Sequence, residues 1–153
     1  MNRTTFLPTP DYFTLLLFRR LVGPTALAVS ASGGVKAHAF CALGAGGGVV
    51  AVLINFKAAL GASAEVAWPS PPPAGAVGRL YALSGVSGWA DGAGDAQSNW
   101  FRVALNNATL ALTTGGALPQ TEPVSAPLDA PVWLPPASAA FLVWERAGVQ
   151  ACT

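Results

Sequence analysis

The acidic side chains are the first candidates for chemistry, because general acid–base catalysis needs two carboxyl groups that face one cleft. Glycosidic hydrolysis, for example, places them about 5 to 9.5 Å apart. The chain has seven, at Asp11, Glu65, Asp91, Asp95, Glu122, Asp129 and Glu145. Asp11 precedes an apolar helical run, while Glu65 and Glu145 alternate with apolar neighbours as in strands, and the others fall in loops. Their spacing directs no two of them to one cleft, so it predicts no catalytic pair.

The metal-binding and phosphate-binding patterns are incomplete. A metal site needs three or four convergent ligands, and the single histidine, His38, lies in an Ala-His-Ala strand pattern without another His or Cys nearby. Residues 91–95 (DGAGD) lack the ligand count of an EF-hand and are typical of a turn. The glycine run at 44–48 lacks the Lys-Ser/Thr of a phosphate loop. We therefore predict no metal and no cofactor.

The two cysteines, Cys41 and Cys152, lie far apart in the sequence. Buried free thiols are one interpretation, because a free cysteine packs as a small apolar residue. A disulfide is the interpretation we favour, because a single pair with one member beside the C-terminus would anchor that terminus. It would close a loop of about 110 residues and contribute about 4 kcal/mol in the chain-entropy model.

Two triplets fit the acceptor pattern for N-glycosylation. They begin at Asn2 and at Asn107. Each triplet also arises often by chance, so the pattern predicts a candidate modification site at each position and no more.

The composition excludes several classes of protein. The 153 residues carry a net charge of +1, which argues against a nucleic-acid-binding surface. Charged residues are only 10% of the chain, against about 25% in an average domain. Mean hydropathy is +0.48, yet we find no uninterrupted apolar stretch long enough for a transmembrane helix and no signal-peptide pattern. The low charge favours a piece whose apolar surface contacts a partner.

One segment predicts a helix, Pro10–Val22. Proline fits the first helical position, Asp11 complements the helix dipole, and Gly23 with Pro24 is expected to end the helix. The helix is apolar nearly all round. We expect one sheet face to leave part of it uncovered, with a patch above a few hundred Å² exposed. Its large apolar side chains are Tyr12, Phe13, Leu15, Leu16, Leu17, Phe18, Leu21 and Val22.

The rest of the chain has the alternating pattern of short strands separated by glycine- and proline-rich turns. The predicted strands are Thr25–Ala31, Val35–Leu43, Val49–Phe56, Ser63–Trp68, Ala76–Leu83, Trp100–Leu105, Thr109–Thr113 and Ala139–Trp144. Flanking prolines confine 132–134 to an edge strand or a covering loop. Strands at this spacing indicate a mainly-β fold, an antiparallel β-sandwich preceded by one α-helix.

Several motifs occur in a fixed order along the chain. They are PDYFTLLLFRRLVG (10–23), AHAFC (37–41), VLIN (52–55), VALN (103–106) with Leu110, LPQTEP (118–123), PPASAAF (135–141) and AC (151–152). In order and rough spacing the set resembles heparanase and the plant heparanase-like β-glucuronidases, glycoside hydrolase family 79. The corresponding family segments read PDY…LLF/W..L.G, AYAHC, LLLIN, VLLNG..L, IP.L.P, APLSIAFV and a terminal AC. No single motif is specific, but the ordered set is.

The resemblance implies a division of the chain. Residues 1–24 would be the last helix of a catalytic (β/α)8 barrel with its lead-in, and residues 25–153 a C-terminal β-sandwich. The family joins the cysteines that match Cys41 and Cys152. Its acid/base and nucleophile are two glutamates on barrel strands upstream of the matched helix, so the resemblance assigns no catalytic residue here.

The resemblance also implies partners and a location. The partner of this chain would be the missing N-terminal barrel of the same enzyme, and the whole enzyme would act on a glucuronide-containing glycan by retaining hydrolysis. A secreted, lysosomal, vacuolar or membrane-associated location follows from the family. The alternatives are a free-standing β-sandwich that binds carbohydrate or protein through aromatics such as Trp89 and Trp100, or a truncated product without its own function.

Overall fold

A computed structural model describes residues 10–31, 34–44, 46–57, 61–64, 77–85, 103–113, 115–126 and 131–153. The first described element is helix α1 (Pro10–Leu21), and a short 3-10 helix at Gln150–Cys152 is the last. Between them lie β1 (Val22–Leu27), β2 (Val35–Ala42), β3 (Val49–Asn55), β4 (Ala62–Ala64), β5 (Val77–Gly85), β6 (Val103–Leu105), β7 (Ala108–Leu110), β8 (Val124–Ala126), β9 (Val132–Leu134) and β10 (Ser138–Glu145). The prediction of a mainly-β fold with one N-terminal helix is confirmed.

The strands of the described residues form a large and a small antiparallel sheet. The eight-stranded sheet has the order β1-β2-β3-β10-β5-β6-β7, and β8 also pairs with β5. Strands β4 and β9 form the two-stranded sheet. The long β10 lies at the centre, paired with β3 on one side and β5 on the other. Its apolar sequence fits this position, because a central strand covered on both faces needs no polar alternation.

Each face of the large sheet carries its own core. On one face, Phe13 and Leu17 of α1 pack among side chains of β3, β5, β6 and β10. The fully buried Phe141 of β10 belongs to this cluster. On the other face, Val132 and Leu134 of β9 pack with Trp144 and other side chains of the large sheet. The face that packs against α1 is the helix-bearing face. The large sheet is thus covered by a helix on one side and by a second sheet on the other.

The prediction for the junction between the helix and the first strand was wrong in its bounds. The helix ends at Leu21 and β1 begins directly at Val22, so Gly23 and Pro24 lie inside a strand. Proline fits there because β1 is an edge strand, where a missing N–H leaves no partner unpaired. Gly23 fits because a Cβ would lie 2.7 Å from the Cys41 carbonyl oxygen. The register shifts irregularly beside these two residues.

Other strands also differ from the prediction; β5, for example, extends to Gly85 rather than Leu83. Strand β8 was missed, because its three residues are too few to show alternation. Strand β7 ends at Leu110 rather than at Thr113. Within the described ranges, no helix combines the length and hydropathy needed to cross a membrane.

Candidate functional site

The candidate site is the outer face of α1, defined by Asp11, Leu15, Phe18 and Arg19. All four are exposed, and at 100° per residue they cluster on the side of the helix opposite Phe13 and Leu17. Leu15 is 62% exposed and Phe18 40%, although each is a large apolar side chain. The two lie three residues apart, so they are neighbours on the helix surface.

The helix is covered on only part of its circumference, as predicted. Phe13 and Leu17 are 3% and 0% exposed, while Tyr12, Leu16 and Leu21 are half-buried at the margins. The rings of Phe18 and Phe40, which lies on β2, form an edge-to-face pair with centroids 5.8 Å apart. The predicted extent of the apolar patch, above a few hundred Å², stays a prediction.

The C-terminal end of the helix is fixed by polar contacts. Arg20 Nη1 donates a hydrogen bond to Thr121 Oγ1 at 3.2 Å, and the Leu43 N–H donates to the Leu21 carbonyl at 2.8 Å. These contacts tie the helix to two separate loops. The orientation of the outer face relative to the sheet is therefore set by the domain itself.

A polar cluster lies on the helix-bearing face around Tyr81. Arg79 forms an ion pair with Glu145 at 2.9 Å, with both side chains nearly half exposed. Burial raises the pKa of the Tyr81 phenol above its ordinary value; the Arg79 guanidinium opposes this effect, and the Glu122 and Glu145 carboxylates add to it. Ion pairs of this exposure contribute about 1 kcal/mol or less. The cluster is thus a surface ionic network beside a buried phenol.

The carboxylates of the chain are distributed over several elements. Asp11 lies in the first turn of α1, Glu145 ends β10, and Glu122 lies in the loop before β8. The other four, Glu65, Asp91, Asp95 and Asp129, lie outside the described residues. Trp89 and Trp100, named above as candidate binding aromatics, also lie outside them.

His38 is exposed on β2, opposite Val52 of β3. In the part of the chain that the structure describes, no three His, Cys, Asp or Glu side chains are grouped so that they could hold a metal ion.

Two asparagines that end family-like motifs have structural roles that the sequence analysis missed. Asn55, only 1% exposed, donates to the Pro135 carbonyl at 2.9 Å and accepts from the Lys57 N–H at 3.0 Å. Asn106 accepts from the Ala82 N–H at 2.9 Å and donates to the Leu80 carbonyl at 3.0 Å. The only sequence signal was the position of each at the end of an apolar strand.

Cys41 and Cys152 form a disulfide across 111 residues, with Cα atoms 5.2 Å apart. This confirms the predicted pair. The bond joins β2 to the C-terminal 3-10 helix, where the Gly47 N–H also donates to the Cys152 carbonyl at 2.9 Å. The C-terminus is thereby fixed to the large sheet.

Of the two glycosylation triplets, only the second is described. Asn107 is exposed in the turn between β6 and β7, and Asn2 lies outside the described residues.

The chain is thus a helix on a large antiparallel sheet, with part of the apolar surface of the helix exposed. The chain is distantly similar, over its full length, to plant heparanase-like proteins. It is 27% identical over 175 aligned positions to Heparanase-like protein 1 of Arabidopsis thaliana, and 26% identical over 179 to Heparanase-like protein 2. Each alignment covers 100% of this chain and 32% of the relative, so the chain spans about a third of their length.

No family model matches the chain. Among solved structures, a glycoside hydrolase family 44 endoglucanase from Clostridium acetobutylium ATCC 824 is similar at 9% identity and a TM-score of 0.35. That similarity covers 74% of this chain and 17% of the endoglucanase.

Proposed function

We propose that this chain is the C-terminal, non-catalytic β domain of a heparanase-like glycoside hydrolase, and that the outer face of α1 packs against the catalytic barrel. The observation that supports this most is that the similarity covers all of the chain but only 32% of its relatives. The exposed Leu15 and Phe18 supply the surface that such a barrel would cover.

The outer face has the composition of a contact between domains. Its centre is apolar, and covering Leu15 and Phe18 would contribute about 1–2 kcal/mol for each side chain. Asp11 and Arg19 lie on either side of this centre along the helix and can stay hydrated at the rim of a contact. In the isolated domain the same apolar atoms face water.

The chemistry proposed for the whole enzyme is retaining hydrolysis of a β-glucuronide by two glutamates, one the acid/base and the other the nucleophile. Both glutamates are proposed to lie on the barrel, outside the 153 residues. The role of this domain is then to hold the helix against the barrel. The core contacts of Phe13 and Leu17 fix α1 to the large sheet, and this attachment serves that role.

The first experiment is sequencing of the full-length transcript. We expect an open reading frame that continues upstream through a (β/α)8 barrel with two glutamates at strand ends. A transcript with an in-frame stop codon upstream and no barrel would contradict the proposal.

The second experiment compares one substitution in two contexts. Leu15→Asp should leave the melting temperature of the 153-residue chain nearly unchanged, because Leu15 already faces water. In the longer protein it should lower that temperature by several degrees, since a charge would be buried against the barrel. The matched control is Val29→Asp, at a 46% exposed apolar residue in the loop after β1. Equal effects of the two substitutions in the longer protein would exclude the outer face as the contact.

A further inference from the structure

We infer that Asn107 is a site of N-linked glycosylation. This inference is independent of the proposed function, because it depends on the hairpin between β6 and β7 and on the disulfide rather than on any catalytic activity.

The hairpin presents the acceptor triplet at the surface. Asn106 and Asn107 form the two-residue turn, with φ angles of 49° and 68°. Both angles are positive, as a type I′ hairpin turn requires, and asparagine tolerates them better than most residues. Asn107 and Thr109 are both exposed, so the acceptor amide and the hydroxyl two residues later are accessible together.

The two adjacent asparagines have different surroundings. The Asn106 side chain is held against β5 by bonds to Ala82 and Leu80, and it also donates to the Glu122 carbonyl at 3.1 Å. These bonds fix the turn, and they leave the exposed Asn107 at its outer corner. A large group attached at Asn107 would extend into solvent without displacing a core side chain.

The disulfide is the second, independent observation. Cys41 and Cys152 are bonded, and disulfides of this kind form in oxidising compartments of the secretory route. N-glycans are attached to Asn-X-Ser/Thr triplets of proteins that take this route. The disulfide and the exposed triplet therefore both indicate that the chain passes through the secretory route.

The reaction is a group transfer from a lipid-linked oligosaccharide pyrophosphate. The bond between sugar C1 and the pyrophosphate oxygen breaks, and a bond forms between C1 and Asn107 Nδ2. The lipid pyrophosphate leaves, and the amide nitrogen loses one proton. No oxidant or reductant is needed.

The position of the glycan also suggests what it does. Among the described strands, β7 is the last in the order of the large sheet, and terminal strands expose unpaired backbone groups to other chains. Asn107 immediately precedes β7. A glycan there would sterically block strand addition at this edge.

The experiment expresses the full chain behind a cleavable secretion signal in eukaryotic cells and maps glycosylated peptides from the secreted and cellular pools together. We expect a glycan on Asn107. When an amidase releases this glycan, the asparagine is converted to aspartate, and the peptide map detects that change. Asn107→Gln and Thr109→Val should each remove this glycan, while Thr109→Ser should retain it. Asn2→Gln, which removes the other triplet, should leave it in place, and a chain made without the signal should carry none.

The glycopeptide map of the wild-type chain alone tests the inference, so poor folding of a variant does not affect the result. The same peptide map reports whether Cys41 and Cys152 are bonded. An unmodified Asn107 in both pools, on chains that contain the disulfide, would overturn the inference.

Discussion

Asn106 and Ala82 are joined by two hydrogen bonds, from the Ala82 N–H to Asn106 Oδ1 at 2.9 Å and from the Asn106 N–H to the Ala82 carbonyl at 2.8 Å. One edge of β5 is shared by two strands, with β8 paired at Leu80 and β6 paired at Leu83. The Asn106 amide lies between these pairings and supplies the hydrogen bonds that a continuous neighbouring strand would have made.

Replacing this asparagine should destabilise the domain. Asn106→Ala leaves the Ala82 N–H and the Leu80 carbonyl without their partner, and we expect a loss of about 2–3 kcal/mol in the free energy of unfolding. Urea denaturation measures it. Asn107→Ala is the matched control, because it shares the positive φ but lies outside this set of bonds. Equal losses in the two variants would show that backbone conformation, rather than the hydrogen bonds, is responsible.

Removing the disulfide should lower stability by about 4 kcal/mol, because a loop of this length restricts the unfolded chain strongly. The double variant Cys41→Ala/Cys152→Ala should unfold at a lower denaturant concentration than the oxidised wild type. Reduced wild-type protein should behave like the double variant. A midpoint that does not change on reduction would contradict the anchoring role of the bond.

Tyr81 should make the domain less stable at high pH. Burial raises the pKa of its phenol above the ordinary value of 10.0. Tyr81 therefore ionises at a lower pH in the unfolded chain than in the folded domain. The contribution to stability is complete below about pH 10 and is lost as the pH rises through the folded pKa. Thermal melts between about pH 8 and pH 11 measure the slope, and Tyr81→Phe should reduce it. An identical slope in that variant would show that Tyr81 is not the group responsible.

The purified 153-residue chain should hydrolyse no aryl β-glucuronide. Hydrolysis requires an acid and a nucleophile on opposite sides of the scissile bond, and the resemblance places both on barrel strands. Release of the aryl group, compared with a buffer blank, measures the activity. Turnover that disappears when any one carboxylate of this chain is replaced by its amide would contradict the prediction.

The sequence by itself determined the local features of this protein. Pro10 at the first helical position with Asp11 beside it predicted the helix, and short runs of strand-forming residues between turn signals predicted the long strands β2, β3 and β10. These features depend on neighbouring residues, because helix starts and short apolar runs are properties of a few consecutive positions. The cysteine pair could be predicted for a related reason, since the chain has only one pair to form.

Tertiary structure decided the features that depend on distant residues. Gly23 and Pro24 are typical of a helix stop, yet they lie in β1, because Gly23 has no Cβ to collide with the Cys41 carbonyl oxygen and an edge strand tolerates proline. Val124–Ala126 became a strand only through its pairing with β5. Asn106 acquired its role because β6 and β8, separated in sequence, meet along one edge of β5. Sequence periodicity does not encode such meetings, because the partners of a polar side chain are fixed only when the sheet forms.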